Sequence, residues 1–390
     1  MRSAVVVGAG VGGLAAAGAL ARTGWRVTLL EQAERLRADR AGLLLWPNGA
    51  GALRELGLGG GLDGVTTPVL PDGIRRPDGQ WLVRPDPERA RAAPGVVHSE
   101  DLHDTLVAGL GDQVEVRHGI QVRTVRVSRD DRPAVGDGRS TWEADLVVAA
   151  DGAHSTIRQR LAPQAAVVSG GWAGWRAVIP WYRASALPAG LATGGETIGV
   201  GYRFQYAPLG ERGSAGGSTR GGVYWVATAL GAPRPEPPAT QLALLRRWFA
   251  GWHPPIPDLL AATEPEDLVQ QAVEELRPAP PGYDFPSGPG GVVLLGDAAH
   301  TIADHLGQGA CLAFEDAAIL RAAGREAVPG GSLRGALEAY TRQRQPRAER
   351  LARQSRRIGA ALAARGWLAQ RARAATLGRL MATATRDLFG

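Results

Sequence analysis

The chain has almost no sulfur and no lysine. One cysteine, Cys311, and two methionines stand among 390 residues. A single cysteine excludes an internal disulfide and any cysteine-cluster metal site. Its surroundings, "GQGACLAF", read as a helix start, so Cys311 is expected to be a small packed residue rather than a reactive thiol. All 44 basic residues are arginine. Without lysine there is no Schiff base, no lysine general base and no lysine-dependent halogen transfer. No apolar run approaches the roughly 18 residues that cross a bilayer. The opening "SAVVVGAG" is too short and too early for a secretory leader. The expectation is a cytoplasmic protein with no membrane insertion.

What is present suits a folded protein of two or three domains. Hydrophobic residues make up 44% of the chain, and the length is enough for more than one core. The net charge of +6 raises the question of a nucleic-acid or membrane partner. The arginines are scattered, and the aromatics do not interleave with them as a base-stacking surface requires. A small anionic cofactor and a solvated surface account for the charge. The expected partners are therefore a small-molecule substrate, no nucleic acid and no obligate protein.

The first thirty residues carry the strongest local signal. "SAVVVGAGVGGLAAAGALARTGWRVTLLEQ" reads as strand, glycine turn, helix and strand. Gly8, Gly10 and Gly13 form GxGxxG, with Val11 and Gly12 inside the turn. Such glycines permit a tight turn and a close backbone approach to a pyrophosphate, and the following helix N-terminus favours its charge. Glu31, followed by Gln32, ends the second strand, where a carboxylate accepts ribose hydroxyls. A negative Glu31 also argues against a 2′-phosphate there, which leaves FAD or NAD. Downstream, Thr66–Ala93 holds turn signals and short alternating runs. "HSEDLHDTLVAGLG" reads as a helix capped by Ser99, with His98 and His103 as surface or packing residues. Residues 167–229 alternate and are rich in Trp and Tyr, which suggests a sheet with an aromatic face around a pocket. Residues 241–276 read as helical, and the tail from Ser332 as an arginine-rich helical cap.

Two further segments select the cofactor. "ADLVVAADGAHSTIR" and "GGVVLLGDAAHTIADHLGQGACLAFEDAAIL" resemble the DG and GD motifs of the class A FAD-dependent monooxygenases, the p-hydroxybenzoate hydroxylase-like family. "RAGLLLWPNGAGALRELGL", "WAGWRAVI", "IGVGYRF", "VYWVAT" and "ALEAYTRQRQPRAERLARQSRRIG" are similar to that family as well, in the same order. The resemblance implies an α/β fold: a Rossmann-like FAD-binding domain with an inserted β-sheet substrate domain and C-terminal helices. The corresponding boundaries are 1–65, 94–166 and 282–325 for the FAD domain, 66–93 and 167–281 for the substrate domain, and 326–390 for the helical segment. It implies bound FAD, transient NADPH or NADH, and O2 as co-substrate, with one oxygen atom passed to an electron-rich, aromatic or polyketide-like molecule through a flavin C4a-hydroperoxide. It implies that Arg40 reaches the FAD phosphates and that Asp151 serves FAD and the visiting nicotinamide. Asp297 follows a strand and can bond the ribityl chain. Gly307, Gly309 and Ala310 open a helix whose N–H groups would face the anionic edge of reduced flavin.

The sequence departs from the family pattern twice. Asp304 stands where a proline usually lies over the flavin ring, and Ser99 stands where an arginine usually lies near the cofactor. Asp304, followed by His305, is therefore a candidate catalytic acid or base, unless it caps a turn or points to solvent. Trp46, Trp175, Arg176, Tyr202 and Tyr224 are candidates to line the substrate pocket. A metal held by His300, His305, Asp297 and Asp304 is not expected, because their spacing gives no shared face. "GWAGWRAVIP" is similar to the Trp-rich motif of flavin-dependent halogenases, whose catalytic lysine is missing here. Two rivals to the monooxygenase remain: an FAD-bound non-redox cyclase or isomerase using Asp304 and His305, and a binder that keeps the fold without catalysis.

Overall fold

The structure is a computed structural model that describes residues 1–38, 40–69, 73–85, 94–184, 187, 194–210, 220–232, 234–326 and 332–364. Its centre is a six-stranded sheet in the order Asp284–Ser287, Gly290–Leu294, Leu146–Ala149, Ser3–Val7, Arg26–Leu30 and Val114–Arg117. Only the first of these runs antiparallel to its neighbour. The other four pairings are parallel. The runs "VVV", "LVV" and "VVL" explain this: β-branched side chains buried on both faces suit a parallel strand covered by helices. Helix Val11–Ala21 covers one face and packs against helix Gly309–Glu326, which also packs against Pro47–Glu55 and Arg334–Ala363. Small residues in "GGLAAAGALA" let these layers approach closely, and all ten residues of that run are buried.

A second sheet has seven strands, in the order Leu268–Leu276, Val167–Ile179, Val223–Leu230, Tyr202–Pro208, Gly195–Ile198, Ile74–Arg75 and Trp81–Val83. Two helices, Pro238–Trp248 and Ile256–Ala262, cover one of its faces. Leu245, Phe249, Ile256 and Leu259 are fully buried there against Ala173, Trp175, Ala177 and Ile179. Each such side chain contributes about 1.5–3 kcal/mol of burial. Strand period then sends Trp172, Gly174, Arg176 and Val178 to the opposite face. In register, Arg176 lies beside Val226, Val226 beside Gln205, and Gln205 beside Glu196. Two three-stranded sheets are also present among the described residues, Gly42–Leu45/Gly95–His98/Thr66–Pro68 and Thr141–Glu143/Ala134–Gly136/Thr124–Arg126.

Two expectations are corrected here. Residues 241–276 are not one helical stretch: Leu268–Leu276 is a strand at the edge of the seven-stranded sheet, paired with Val167–Ile179. Thr66–Pro68 pairs with Gly95–His98 in the small sheet. Ser99 does not cap helix Ser99–Ala108. Its hydroxyl accepts from Ala41 N at 3.0 Å, and His98 Nδ1 takes the capping bond from Glu100 N at 3.2 Å. Residues 365–390 of the expected helical tail lie outside the described residues.

Candidate functional site

Three loops meet at the carboxyl ends of adjacent parallel strands, the edge at which open α/β sheets bind ligands. The first is the glycine turn. Gly8 has φ +97°, and a Cβ at Gly13 would run into the Gly8 carbonyl, so both positions need glycine. Gly10 differs. It caps helix Val11–Ala21 with extended backbone, and a Cβ there would meet no protein atom within 4 Å. The first-turn N–H groups of that helix therefore face open space. Glu31 is held in place at the tip of its strand, accepting from Ala9 N and Ala33 N at 2.8 Å each. Gln32 and Arg40 are exposed beyond it.

The second loop follows Leu146–Ala149. Asp151 accepts from Ile157 N through Oδ2, while its Oδ1 is buried and has no hydrogen-bond partner among the described residues. Burial pushes its carboxyl above the ordinary range. Arg158, itself 1% exposed, donates to Ala153 O at 2.5 Å and to Ala298 O at 3.2 Å, joining this loop to the third.

The third loop runs from Gly296 to Gln308 and is anchored from below. Asp316, fully buried, accepts from Gly296 N at 2.9 Å, His300 Nε2 at 2.6 Å and Arg344 Nε at 2.6 Å. Burial opposes charge on all three side chains, yet their mutual attraction prevails. It holds Asp316 below the ordinary carboxylate range and raises His300. Arg344 and Arg347 also pair with Glu315 at 2.8 and 2.6 Å, and Asn48 donates to Glu315 at 2.7 Å. The loop, helix Gly309–Glu326 and helix Arg334–Ala363 are thereby one electrostatic unit.

Above this unit lies a cavity of about 520 Å³ between the third loop and the free face of the seven-stranded sheet. Asp297, Asp304, His305, Gly307, Gly309 and Ala310 border it from the loop side, and Trp46 from the start of helix Pro47–Glu55. Arg176 and Tyr224 border it from the floor. Asp304 faces the cavity and is exposed there. The protein around it still displaces enough solvent to raise its carboxyl above the ordinary value, with Arg203 and Arg176 opposing and Asp297 adding to the shift. His305 points elsewhere: its ring meets Trp172 edge-on at 5.4 Å and backs onto Gly359. Burial, then the charge of Arg203, lowers it to about 4, so it is neutral at physiological pH.

Trp175 and Tyr202 were expected at the pocket and are not there. Trp175 Nε1 donates to Gln241 at 2.7 Å, and Tyr202 lies against Trp248 and Phe249, both on the helix-covered face. The aromatic face of the sheet is a core, and the cavity takes the other, more polar face. That face also brings in Glu196, Arg203, Gln205 and Gln271, which sequence reasoning passed over. Arg203 donates to Glu196 at 2.7 Å and to the His305 carbonyl at 3.0 Å. Their signal was present: in "YRFQYAP" Arg203 and Gln205 alternate with apolar or aromatic residues, the mark of a strand with one polar face.

This architecture and its cavity define a flavoprotein oxygenase class, and comparison with known proteins agrees. Residues 1–183 and 286–355 match the FAD binding domain family, so the chain belongs to it, within the class A FAD-dependent monooxygenases. The aurachin C monooxygenase/isomerase of Stigmatella aurantiaca is 32% identical over 91% of this chain and 88% of its own. The FAD-dependent urate hydroxylase of Klebsiella pneumoniae is 29% identical over 91% of this chain and 88% of its own. The crystal structure of Klebsiella pneumoniae HpxO complexed with FAD and uric acid superposes with a TM-score of 0.83 at 27% identity, covering 100% of this chain and 97% of that one. The protein is thus a flavin-dependent monooxygenase that uses FAD, NAD(P)H and O2. Among the described residues, no helix is long and apolar enough to cross a membrane.

Proposed function

We propose that the chain hydroxylates a small aromatic molecule held between the third loop and the seven-stranded sheet, with Asp304 as the base that activates it. FAD is placed with its pyrophosphate at Gly8, Gly10, Val11, Gly12 and Gly13, its ribose on Glu31 and Gln32, and Arg40 near its phosphates. Asp151 and Asp297 take the ribityl chain, and Gly307, Gly309 and Ala310 the ring. One observation carries this placement. Asp151 Oδ1, Trp46 Nε1 and Gln308 Nε2 are buried without a hydrogen-bond partner among the described residues; Trp46 and Gln308 border the cavity, and Asp151 stands in the second loop. Buried polar groups cost roughly 1–3 kcal/mol when left unpaired, so a polar ligand that satisfies them fits the site. When bound, the flavin supplies the redox chemistry, taking electrons from NAD(P)H and delivering one atom of O2.

The chain's own contribution is proton control and exclusion of water. Asp304 faces Arg176, Arg203 and Tyr224 from the loop side. Its carboxylate takes the proton from a substrate hydroxyl or ring N–H, which raises electron density on the carbon to be attacked. A raised pKa makes it a stronger base than an ordinary aspartate. Tyr224, held neutral by burial and by Asp304, keeps its hydroxyl proton as a donor. His305, neutral and turned to Trp172, braces the loop.

Substrate-stimulated NAD(P)H oxidation, matched by O2 uptake and a product heavier by one oxygen atom, is the expected result with FAD-loaded protein. NAD(P)H oxidation that no aromatic compound stimulates would sink the proposal. Asp304→Asn should lower kcat by about 10²–10⁴-fold while FAD content is unchanged. In the parent, kcat should fall as pH drops through the raised Asp304 value, and that acid limb should vanish in the variant. Stability gives the opposite sign. Because the folded pKa lies above the unfolded one, ionising Asp304 costs stability as pH rises through that interval. Asp304→Asn should therefore melt higher than the parent at pH 8.

A further inference from the structure

The charges on the walls of the cavity narrow what it accepts. Resting on the proposed hydroxylation, we propose that the site selects an uncharged, planar ring bearing an amide or lactam edge, and rejects the corresponding carboxylate. Three guanidinium groups border the cavity, those of Arg84, Arg176 and Arg203, against four carboxyl groups, those of Glu196, Glu274, Asp297 and Asp304. Arg203 is committed to Glu196 at 2.7 Å and to the His305 carbonyl at 3.0 Å. Arg176 shares its field with Asp304. His305 adds no positive charge, being neutral at physiological pH. An incoming carboxylate meets four carboxyl groups against three guanidinium groups, two of them already engaged, and lies near Asp304. It loses hydration with no surplus of positive charge to replace it.

A neutral ligand meets better terms. Gln205 sits in the floor row beside Val226, between Arg176 and Glu196 across the sheet. Its carboxamide has no hydrogen-bond partner among the described residues, and neither has that of Gln271 at the sheet edge. A side-chain carboxamide offers one acceptor and two donors, the complement of a C=O beside an N–H. The apolar surfaces of Val226, Leu44 and Leu306 enclose the ring that carries this edge.

The test uses an isosteric pair, 3-hydroxybenzamide and 3-hydroxybenzoate, titrated into FAD-loaded protein at pH 7.5 and followed by perturbation of the flavin spectrum. The amide should bind at least about tenfold tighter than the carboxylate. Gln205→Leu should weaken the amide by about 3–12-fold, the worth of one hydrogen bond, with little effect on the carboxylate. Asp304→Asn should narrow the gap by strengthening the carboxylate. Equal or tighter binding of 3-hydroxybenzoate, no response to either compound, or an unchanged amide affinity in Gln205→Leu would each overturn the inference. The binding measurement needs no turnover, so it stands apart from the proposed hydroxylation. That reading is tested separately by NAD(P)H and O2 consumption, and either can fail while the other holds.

Discussion

Asp316→Ala is expected to lose about 3–5 kcal/mol of folding stability and to release FAD. The substitution removes the acceptor shared by Gly296 N, His300 and Arg344, all at the root of the third loop. Arg344 keeps Glu315, but His300 loses the only partner its Nε2 has there, since Nδ1 has none among the described residues. Removing one member of a buried charged cluster costs more than the cluster gains over an apolar core, because the survivors stay buried and unpaired. Thermal melting with and without added FAD measures both effects. A loss below about 1 kcal/mol would mean that the network contributes little. The parent's pH profile follows from the same groups. Asp316 has a depressed folded pKa, so its contribution is present above the ordinary value of 3.8 and fades only in stronger acid. His300 has a raised folded pKa, so its contribution is complete below 6.5 and is lost as pH climbs through the raised value. On these two groups, stability should hold level in mild acid and decline on the alkaline side.

Gly10→Asp is expected to abolish FAD binding while leaving the fold intact. The backbone at Gly10, φ −67° and ψ 174°, is open to any residue, and the new side chain meets no protein atom near its Cβ. It would instead enter the space assigned to the pyrophosphate. A carboxylate about 4 Å from a phosphate charge costs about 4 kcal/mol at an intermediate dielectric, roughly a thousandfold in affinity. Gly13→Ala makes the contrast, since its methyl group collides with the Gly8 carbonyl and should damage the turn itself. Equilibrium FAD titration together with a melting curve separates the two variants. A Gly10→Asp protein that still purifies with stoichiometric FAD would show that the pyrophosphate lies elsewhere.

The parts that were legible in the sequence are those where backbone geometry demands particular residue types. The glycine turn, the acid at the tip of the second strand and the loop from Gly296 to Gly309 are of this kind. Face assignment was not legible. Trp175 and Arg176 are neighbours, and alternation places them on opposite sides without saying which side is open. The answer depends on helices Pro238–Trp248 and Ile256–Ala262 covering the Trp175 face, a tertiary fact. Leu268–Leu276 misled for a different reason. "LVQQAVEEL" is made of good helix formers, with apolar residues spaced as on a helix, yet pairing with Val167–Ile179 makes it a strand. The Ser99 cap failed because Ala41 N claims that hydroxyl first. The network under the third loop joins residues 48, 296, 300, 315, 316, 344 and 347, too far apart in sequence for any local pattern to reveal it.

The two-faced sheet also fixes what light would report about this protein. Trp175 and Trp225 lie in the helix-covered core, whereas Trp46 borders the cavity. Emission from the first group follows the packing of the sheet and its helices and will change when they separate. With the flavin seated as proposed, emission from Trp46 would follow occupancy of the cavity, because a flavin beside it would accept its excitation. A Trp46→Phe protein would keep the folding signal and lose much of the binding signal, so a single fluorescence trace can be divided into the two events.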